Sequence, residues 1–206
     1  MGHIIRLRCV NTDGVTDTRP LAVVLRHGET TWSANGRHTG RTDIDLTVRG
    51  EDEARALRAR LAGRSFALTL CSPMHRARRT AELAGLDGPT LTIEPDLMEW
   101  DYGDFEGRTT DDIRRQWPGW TVWDGPWPGG ETIDQVTARA DRVVARVRQV
   151  DNATVALVAH GHILRVVAAR WLGAPPQAGR WLALETGTVS ELGWEHETAV
   201  VHRWNA

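Results

Sequence analysis

Short apolar runs alternate with stretches of helical periodicity along most of the chain. Leu21-Ala22-Val23-Val24-Leu25 is apolar and β-branched, and reads as a buried strand ending in the polar turn Arg26-His27-Gly28-Glu29-Thr30. A Gly/Arg/Thr-rich loop follows to about Leu46. Thr47 then caps a helix whose apolar face includes Ala54, Leu57 and Leu61. Phe66 to Cys71 reads as a second strand. Ser72-Pro73 reads as a helix cap and first helical position, opening a helix over Met74–Leu83. Leu91-Thr92-Ile93 is a third short strand, and residues 96–130 are rich in glycine and proline loops. A helix from about Thr132 to Gln149 carries Ile133, Val136, Ala140, Val143 and Val147 on one stripe. Thr154–Ala159 is a fourth strand, ending in His160-Gly161-His162 and opening a helix over Ile163–Leu172. The tail holds strand candidates near 181–186, 189–194 and 199–204. Strands that alternate with helices predict an α/β fold: three layers, α/β/α, around a mostly parallel central sheet. No repeat, low-complexity tract or linker divides the chain. The expectation is one domain over 20–206, preceded by an N-terminal extension over 1–19 that is partly ordered at most.

Composition narrows the class of function. With 41% hydrophobic and 25% charged residues, the 206-residue chain matches soluble globular proteins and not disordered ones. A formal net charge of -2 offers no electrostatic reason for a nucleic-acid or membrane partner. No apolar run approaches the roughly 20 residues that span a bilayer. Cys9 and Cys71 are too far apart in sequence to suggest a disulfide framework or a metal site, and no signal-type segment opens the chain; the expected location is cytoplasmic. Basic positions are almost all Arg, which suits bidentate phosphate contacts but also follows from GC-rich coding.

The chemistry lies at the strand ends. In open α/β sheets, ligands bind beyond the carboxyl ends of the strands. Three predicted strands end in Arg26-His27, in Ser72 to Arg76, and in His160. Each has an ordinary reading alone: a surface histidine, a solvated helix charge beside Arg78 and Arg79, a histidine closing a turn. Parallel strands would gather all of them at one edge, where two arginines, two histidines and a helix N-terminus attract an anion, most commonly phosphate. A neutral His27 could then attack phosphorus while Arg26, Arg76 and a protonated His160 stabilise the spreading negative charge. A nearby carboxylic acid would protonate the leaving alkoxide and later activate water. The residues leave that acid open among Glu99, Asp101, Asp104 and Glu106. No metal or cofactor is called for, and no metal-ligand cluster is evident.

Four ordered motifs sharpen this. Leu25-Arg26-His27-Gly28-Glu29-Thr30, Ser72-Pro73-Met74-His75-Arg76-Ala77-Arg78-Arg79-Thr80-Ala81, Leu97-Met98-Glu99 with Gly103, Glu106 and Gly107, and Val158-Ala159-His160-Gly161-His162 resemble the signature segments of the histidine phosphatase superfamily, also called phosphoglycerate-mutase-like. Thr39-Gly40 with Asp43, Leu46-Thr47 and Gly50 resembles the stretch after the first. The resemblance implies that His27 is the nucleophile, that Arg26, Arg76 and His160 form the phosphate pocket, and that Glu99 is the proton donor and acceptor, with Glu106 shaping its loop. It also puts Ser33, Thr39, Gly40, Trp100, Tyr102 and Gly161 among the substrate-binding positions.

The chain departs from the mutase pattern. Ser33 stands for the typical Asn, Trp100-Asp101 replaces a basic pair, Thr110 replaces a Lys, and an Arg-bearing insertion is missing. Fewer cations weaken phosphoglycerate binding and leave the phosphoenzyme open to water. The wording is closest to acid or broad-specificity phosphatases and sugar bisphosphatases. The expectation is therefore a phosphatase of small phosphorylated metabolites; the alternatives are a phosphoglycerate mutase or a non-hydrolytic phospholigand-binding module. Trp117, Trp120, Trp123 and Trp127, with Trp100 upstream, fit core packing, a lid, or the surface of a homodimer, and spacing does not decide among these.

Overall fold

A computed structural model describes residues 19–206, so the expected extension over 1–19 falls almost wholly outside the described residues. Along the chain run β1 (Leu21–Arg26), α1 (Thr31–Ala34), α2 (Val48–Arg60), β2 (Leu68–Cys71), α3 (His75–Leu83), β3 (Leu91–Ile93), α4 (Thr110–Arg114), α5 (Ile133–Arg148), β4 (Thr154–Ala159), α6 (Gly161–Trp171), β5 (Val189–Glu195) and β6 (Thr198–Arg203). The strands form one six-stranded sheet in the order β3-β2-β4-β1-β5-β6. β3, β2, β4 and β1 are mutually parallel; β5 and β6 close the other edge as an antiparallel pair.

Side-chain alternation in the central strands separates two cores. Ala22, Val24, Leu70, Val155, Leu157 and Ala159 pack with α5, α6 and the aromatic loops. Val23, Leu25, Cys71, Ala156 and Val158 pack with Leu57, Ala77 and Ala81 of α2 and α3. A fully buried leucine such as Leu57 contributes about 1.5–3 kcal/mol in such a layer. This is the expected α/β/α arrangement.

Register then aligns the chemistry. Arg26 pairs with Ala159 across β1 and β4, so His27 and His160 leave adjacent strands at the same level. Cys71 pairs with Val158, which delivers Ser72 beside them.

Several boundaries differ from expectation for identifiable reasons. Ser72 does not cap α3. Its amide still belongs to the sheet edge, donating to Val158 O at 3.0 Å, and Met74 is extended, so the helix begins at His75. The carboxylate of Asp43, from the loop before α2, instead accepts the His75 amide at 3.0 and 2.9 Å. The candidate strand at 181–186 is a 3-10 turn, Pro176–Trp181, running into irregular chain. Its carbonyls serve side chains: Leu184 O accepts from Arg26, and Ala183 O from the Trp204 indole. The predicted cap at Thr47 is present and accepts the Gly50 amide.

The tryptophan question is settled mostly in favour of packing. Trp100, Trp120 and Trp123 are buried in the larger core. Trp100 stacks on Trp127 at 5.6 Å, while Trp117 stays 43% exposed. Among the described residues, no helix is long and apolar enough to cross a membrane.

Candidate active site

His27 follows directly on β1 and is buried. Its Nδ1 lies 2.7 Å from Gly28 O, and a carbonyl can only accept, so Nδ1 carries the proton and Nε2 keeps a free lone pair. Burial, then the neighbouring Arg76 and Arg26, hold the ring well below the ordinary imidazole value of 6.5, so it is neutral. The turn that places it is tight. A methyl on Gly28 would lie 2.1 Å from Gly50 O, so only glycine lets this turn sit on the start of α2. The Gly28 amide donates to Thr80 Oγ1 at 3.1 Å, which ties the turn to α3.

Arg76, from the first turn of α3, is fully buried. Its Nε donates to His160 Nδ1 at 3.1 Å, Nη1 to Thr42 O, and Nη2 to Thr39 O and Gly40 O. Four of the five guanidinium donors are thus committed, orienting both a histidine and the 39–43 loop. Glu106 holds the same loop from its other side, accepting the Thr42 amide at 2.9 Å. A methyl on Gly40 would lie 2.5 Å from the backbone oxygen of Trp100, so this loop also needs glycine. Glu106, expected to shape the loop that carries it, is here bonded to the 39–43 loop.

His160 is the N-cap residue of α6. Because its Nδ1 accepts from Arg76, the proton of the neutral ring sits on Nε2 and is donated to Ser72 Oγ at 2.7 Å. Burial, then Arg76, His27 and Arg26, push the ring well below 6.5. This geometry differs from the expected protonated His160: Nδ1 takes a hydrogen bond from Arg76, and burial beside that cation favours the neutral ring. The His27 and His160 rings meet edge to face, with centroids 5.1 Å apart.

Arg26 donates from Nη1 to Leu184 O, while its buried Nε has no protein partner. A methyl on Gly161 would lie 3.3 Å from Arg26 Cζ, so the start of α6 packs directly on this guanidinium. Glu99 is buried at the same helix terminus. Its Oε1 accepts the amides of Trp100 and Ile163, and its Oε2 that of His162.

Five expected catalytic positions therefore converge: Arg26, His27, Arg76, Glu99 and His160. The substrate-binding expectations divide. The backbones of Thr39 and Gly40 serve Arg76, and Gly161 lies against Arg26. Tyr102 sits one layer back with its hydroxyl 2.6 Å from His162 Nδ1. The Ser33 hydroxyl is spent in its own helix cap, donating to Thr30 O. Trp100 needs correction: it is wholly buried, and its indole donates to Glu131 O, so it supports the Glu99 loop and presents no face to a substrate. Sequence reasoning missed Ser72 as the partner of His160, Thr80, and Arg139 behind Glu99. Among the described residues, no group of three or more His, Cys, Asp or Glu side chains could hold a metal ion.

The neutral histidines make stability depend on pH. His27, His160 and His162 are held well below 6.5, chiefly by burial, and burial lowers His38 to about 4. Below pH 6.5 the unfolded chain takes up protons that the folded chain refuses, so stability is full above that pH and falls as pH drops. Each such group contributes a slope of up to about 1.4 kcal/mol per pH unit. Melting temperature should decline steeply from pH 6.5 to 4.5; a flat or rising profile would contradict the neutral assignment.

Residues 22–206 match the family model described as histidine phosphatase superfamily (branch 1). This chain belongs to that superfamily. An acid phosphatase of Mycobacterium tuberculosis is 42% identical over 89% of this chain and 90% of its own length. A sedoheptulose 1,7-bisphosphatase of Saccharomyces cerevisiae is 32% identical over 75% of this chain and 68% of its own. A probable phosphoglycerate mutase of Salmonella choleraesuis is 30% identical over 88% of each. The solved structure of an open-reading-frame product from Mycobacterium tuberculosis superposes with a TM-score of 0.83 at 38% identity, covering 90% of this chain and 96% of that one. The expected family and fold class, and the likeness to acid and sugar-bisphosphate phosphatases, hold.

Proposed function

We propose that this chain hydrolyses small phosphomonoesters through a phosphohistidine on His27. Membership of the histidine phosphatase superfamily, together with the likeness to an acid phosphatase, supports a phosphoric monoester hydrolase; the covalent route and the individual roles are our reading. The observation that carries it is the commitment of His27 Nδ1 to Gly28 O, which leaves Nε2 as the unprotonated ring nitrogen, with the ring against His160 and within electrostatic reach of Arg76 and Arg26. In the first step Nε2 attacks phosphorus, the P–N bond forms, the ester P–O bond breaks, and the leaving oxygen takes the proton that Glu99 carries as the carboxylic acid, leaving a carboxylate. In the second, Glu99 takes a proton from water, the resulting hydroxide attacks phosphorus, the P–N bond breaks and inorganic phosphate leaves. Arg26 and Arg76 stabilise the charge on the transferring oxygens.

The test is rapid acid-free quenching of the enzyme during turnover, followed by mass spectrometry of the peptide bearing His27. A gain of one phosphoryl group on that peptide, labile to acid and stable to base, is expected. A parallel assay follows phosphate release from p-nitrophenyl phosphate, sugar phosphates and 3-phosphoglycerate. Release without 2-phosphoglycerate formation fits the hydrolase; isomerisation with little release would make the chain a mutase, and no reaction would favour a phospholigand-binding module.

A further inference from the structure

On helix α5, Arg139 sits on the stripe that buries Val136, Ala140 and Val143, an expensive place for a charge unless every donor is satisfied. All five of its N–H groups are. Nε donates to Glu131 Oε1 at 2.8 Å and Nη2 to Glu131 Oε2 at 2.7 Å, a bidentate pair. Nη1 donates to Asp96 O at 2.7 Å and Met98 O at 2.8 Å, and Nη2 also to Glu99 O at 3.4 Å. The guanidinium therefore takes the backbone carbonyls leading into and including Glu99.

Glu131 completes the arrangement on the far side. Its Oε2 accepts the Asp101 amide at 3.0 Å, its backbone oxygen accepts the Trp100 indole at 2.8 Å, and its amide donates to Asp101 O at 2.9 Å. Glu99 is thus held between two segments pinned to one ion pair, with its carboxylate turned to the α6 terminus. Neither Arg139 nor Glu131 donates to or accepts from the Glu99 carboxylate, His27, Arg26, Arg76 or His160.

We propose that Arg139 and Glu131 are positioning residues for Glu99, a buried guanidinium–carboxylate bracket that fixes where the proton donor stands. The inference rests on the proton-transfer role of Glu99 given above. Arg is required because its planar fork reaches acceptors in several directions at once; Lys has fewer donors on a single nitrogen. Misplacing a general acid by about 1 Å costs up to about 10²-fold in rate. That cost concentrates on substrates whose leaving group needs the proton.

The experiment compares kcat and KM for p-nitrophenyl phosphate, a good leaving group, with those for an alkyl phosphate, a poor one. The variants are Arg139→Lys, the milder Glu131→Gln, Glu99→Gln and, as a stability control, Val143→Ala, all assayed below their melting temperatures. Arg139→Lys and Glu131→Gln should lose roughly 10²-fold in kcat on the alkyl ester and less than about 10-fold on the aryl ester, with KM little changed, in the pattern of Glu99→Gln. Val143→Ala should lower the melting temperature without a leaving-group effect. If Glu99→Gln discriminates between leaving groups and the bracket variants do not, the positioning role is overturned and the role of Glu99 stands. If Glu99→Gln does not discriminate either, the proton-donor reading fails and takes the bracket with it. Failure of both bracket variants to fold would also count against the proposal, since it would make the pair an element of the fold and not of the site.

Discussion

His27→Ala is expected to abolish turnover, with kcat reduced by roughly 10⁴-fold or more, because the substitution removes the atom that bonds to phosphorus. The arginines and the α6 terminus would remain, so phosphate and substrate should still bind. The fold should also survive. The His27 amide would keep its bond to Ala159 O at 2.9 Å, and the neighbouring strands do not depend on the imidazole. Melting temperature at neutral pH should change little. Below pH 6.5 the variant should lose less stability than the native protein, since one buried group that resists protonation is gone. Phosphate release assayed beside the melting curve at two pH values checks both parts. Residual kcat within about tenfold of native would remove His27 as nucleophile.

For Arg76→Met, activity and stability should fall together. Arg76 is buried and donates to His160 and to the carbonyls of Thr39, Gly40 and Thr42. A methionine replaces the alkyl stem but leaves the guanidinium's space unfilled and supplies no donor. Orphaned buried acceptors cost about 1–3 kcal/mol each, less whatever water recovers, so a net loss of about 3 kcal/mol is expected. In a chain of this size that lowers the melting temperature by about 6–12 °C. Loss of one charge-stabilising donor at a transferring group costs about 10²–10³-fold in rate, and here the orientation of His160 goes with it. Thermal melting, kcat/KM and inhibition by inorganic phosphate are the measurements. Native-like stability would mean that the 39–43 loop is held by Glu106 and Asp43 alone. Undiminished phosphate inhibition would take Arg76 out of the anion site.

Much of the site was legible because its residues stand next to strong local signals. Arg26-His27 and His160 terminate apolar runs, and a parallel sheet puts such ends on one edge. Arg76 was legible only through its spacing from Ser72-Pro73 and the family wording around it. What escaped had no local signature. The bond between Ser72 and His160 joins residues far apart in sequence, and it exists because Cys71 and Val158 are in register. Arg139 shares the face of Val136 and Val143, and an arginine on the apolar stripe of an amphipathic helix was the one available hint of a buried role. The strand expected at 181–186 failed because its hydrophobic pattern is local, whereas its carbonyls are claimed by Arg26 and Trp204 from elsewhere.

Sequence alone determined the layer architecture, the succession of the central elements along the chain and which side chains stand at the strand ends. Those follow from periodicity, caps and strand ends, which are properties of neighbouring residues. Tertiary structure decided the hydrogen-bond partners of the two histidines, the supporting role of Trp100 and the anchoring of Glu99. Each depends on which distant donor or acceptor burial brings within about 3 Å, where a hydrogen bond is made or lost. Once water is excluded, that geometry favours one state of an imidazole and fixes the direction in which a carboxylate points.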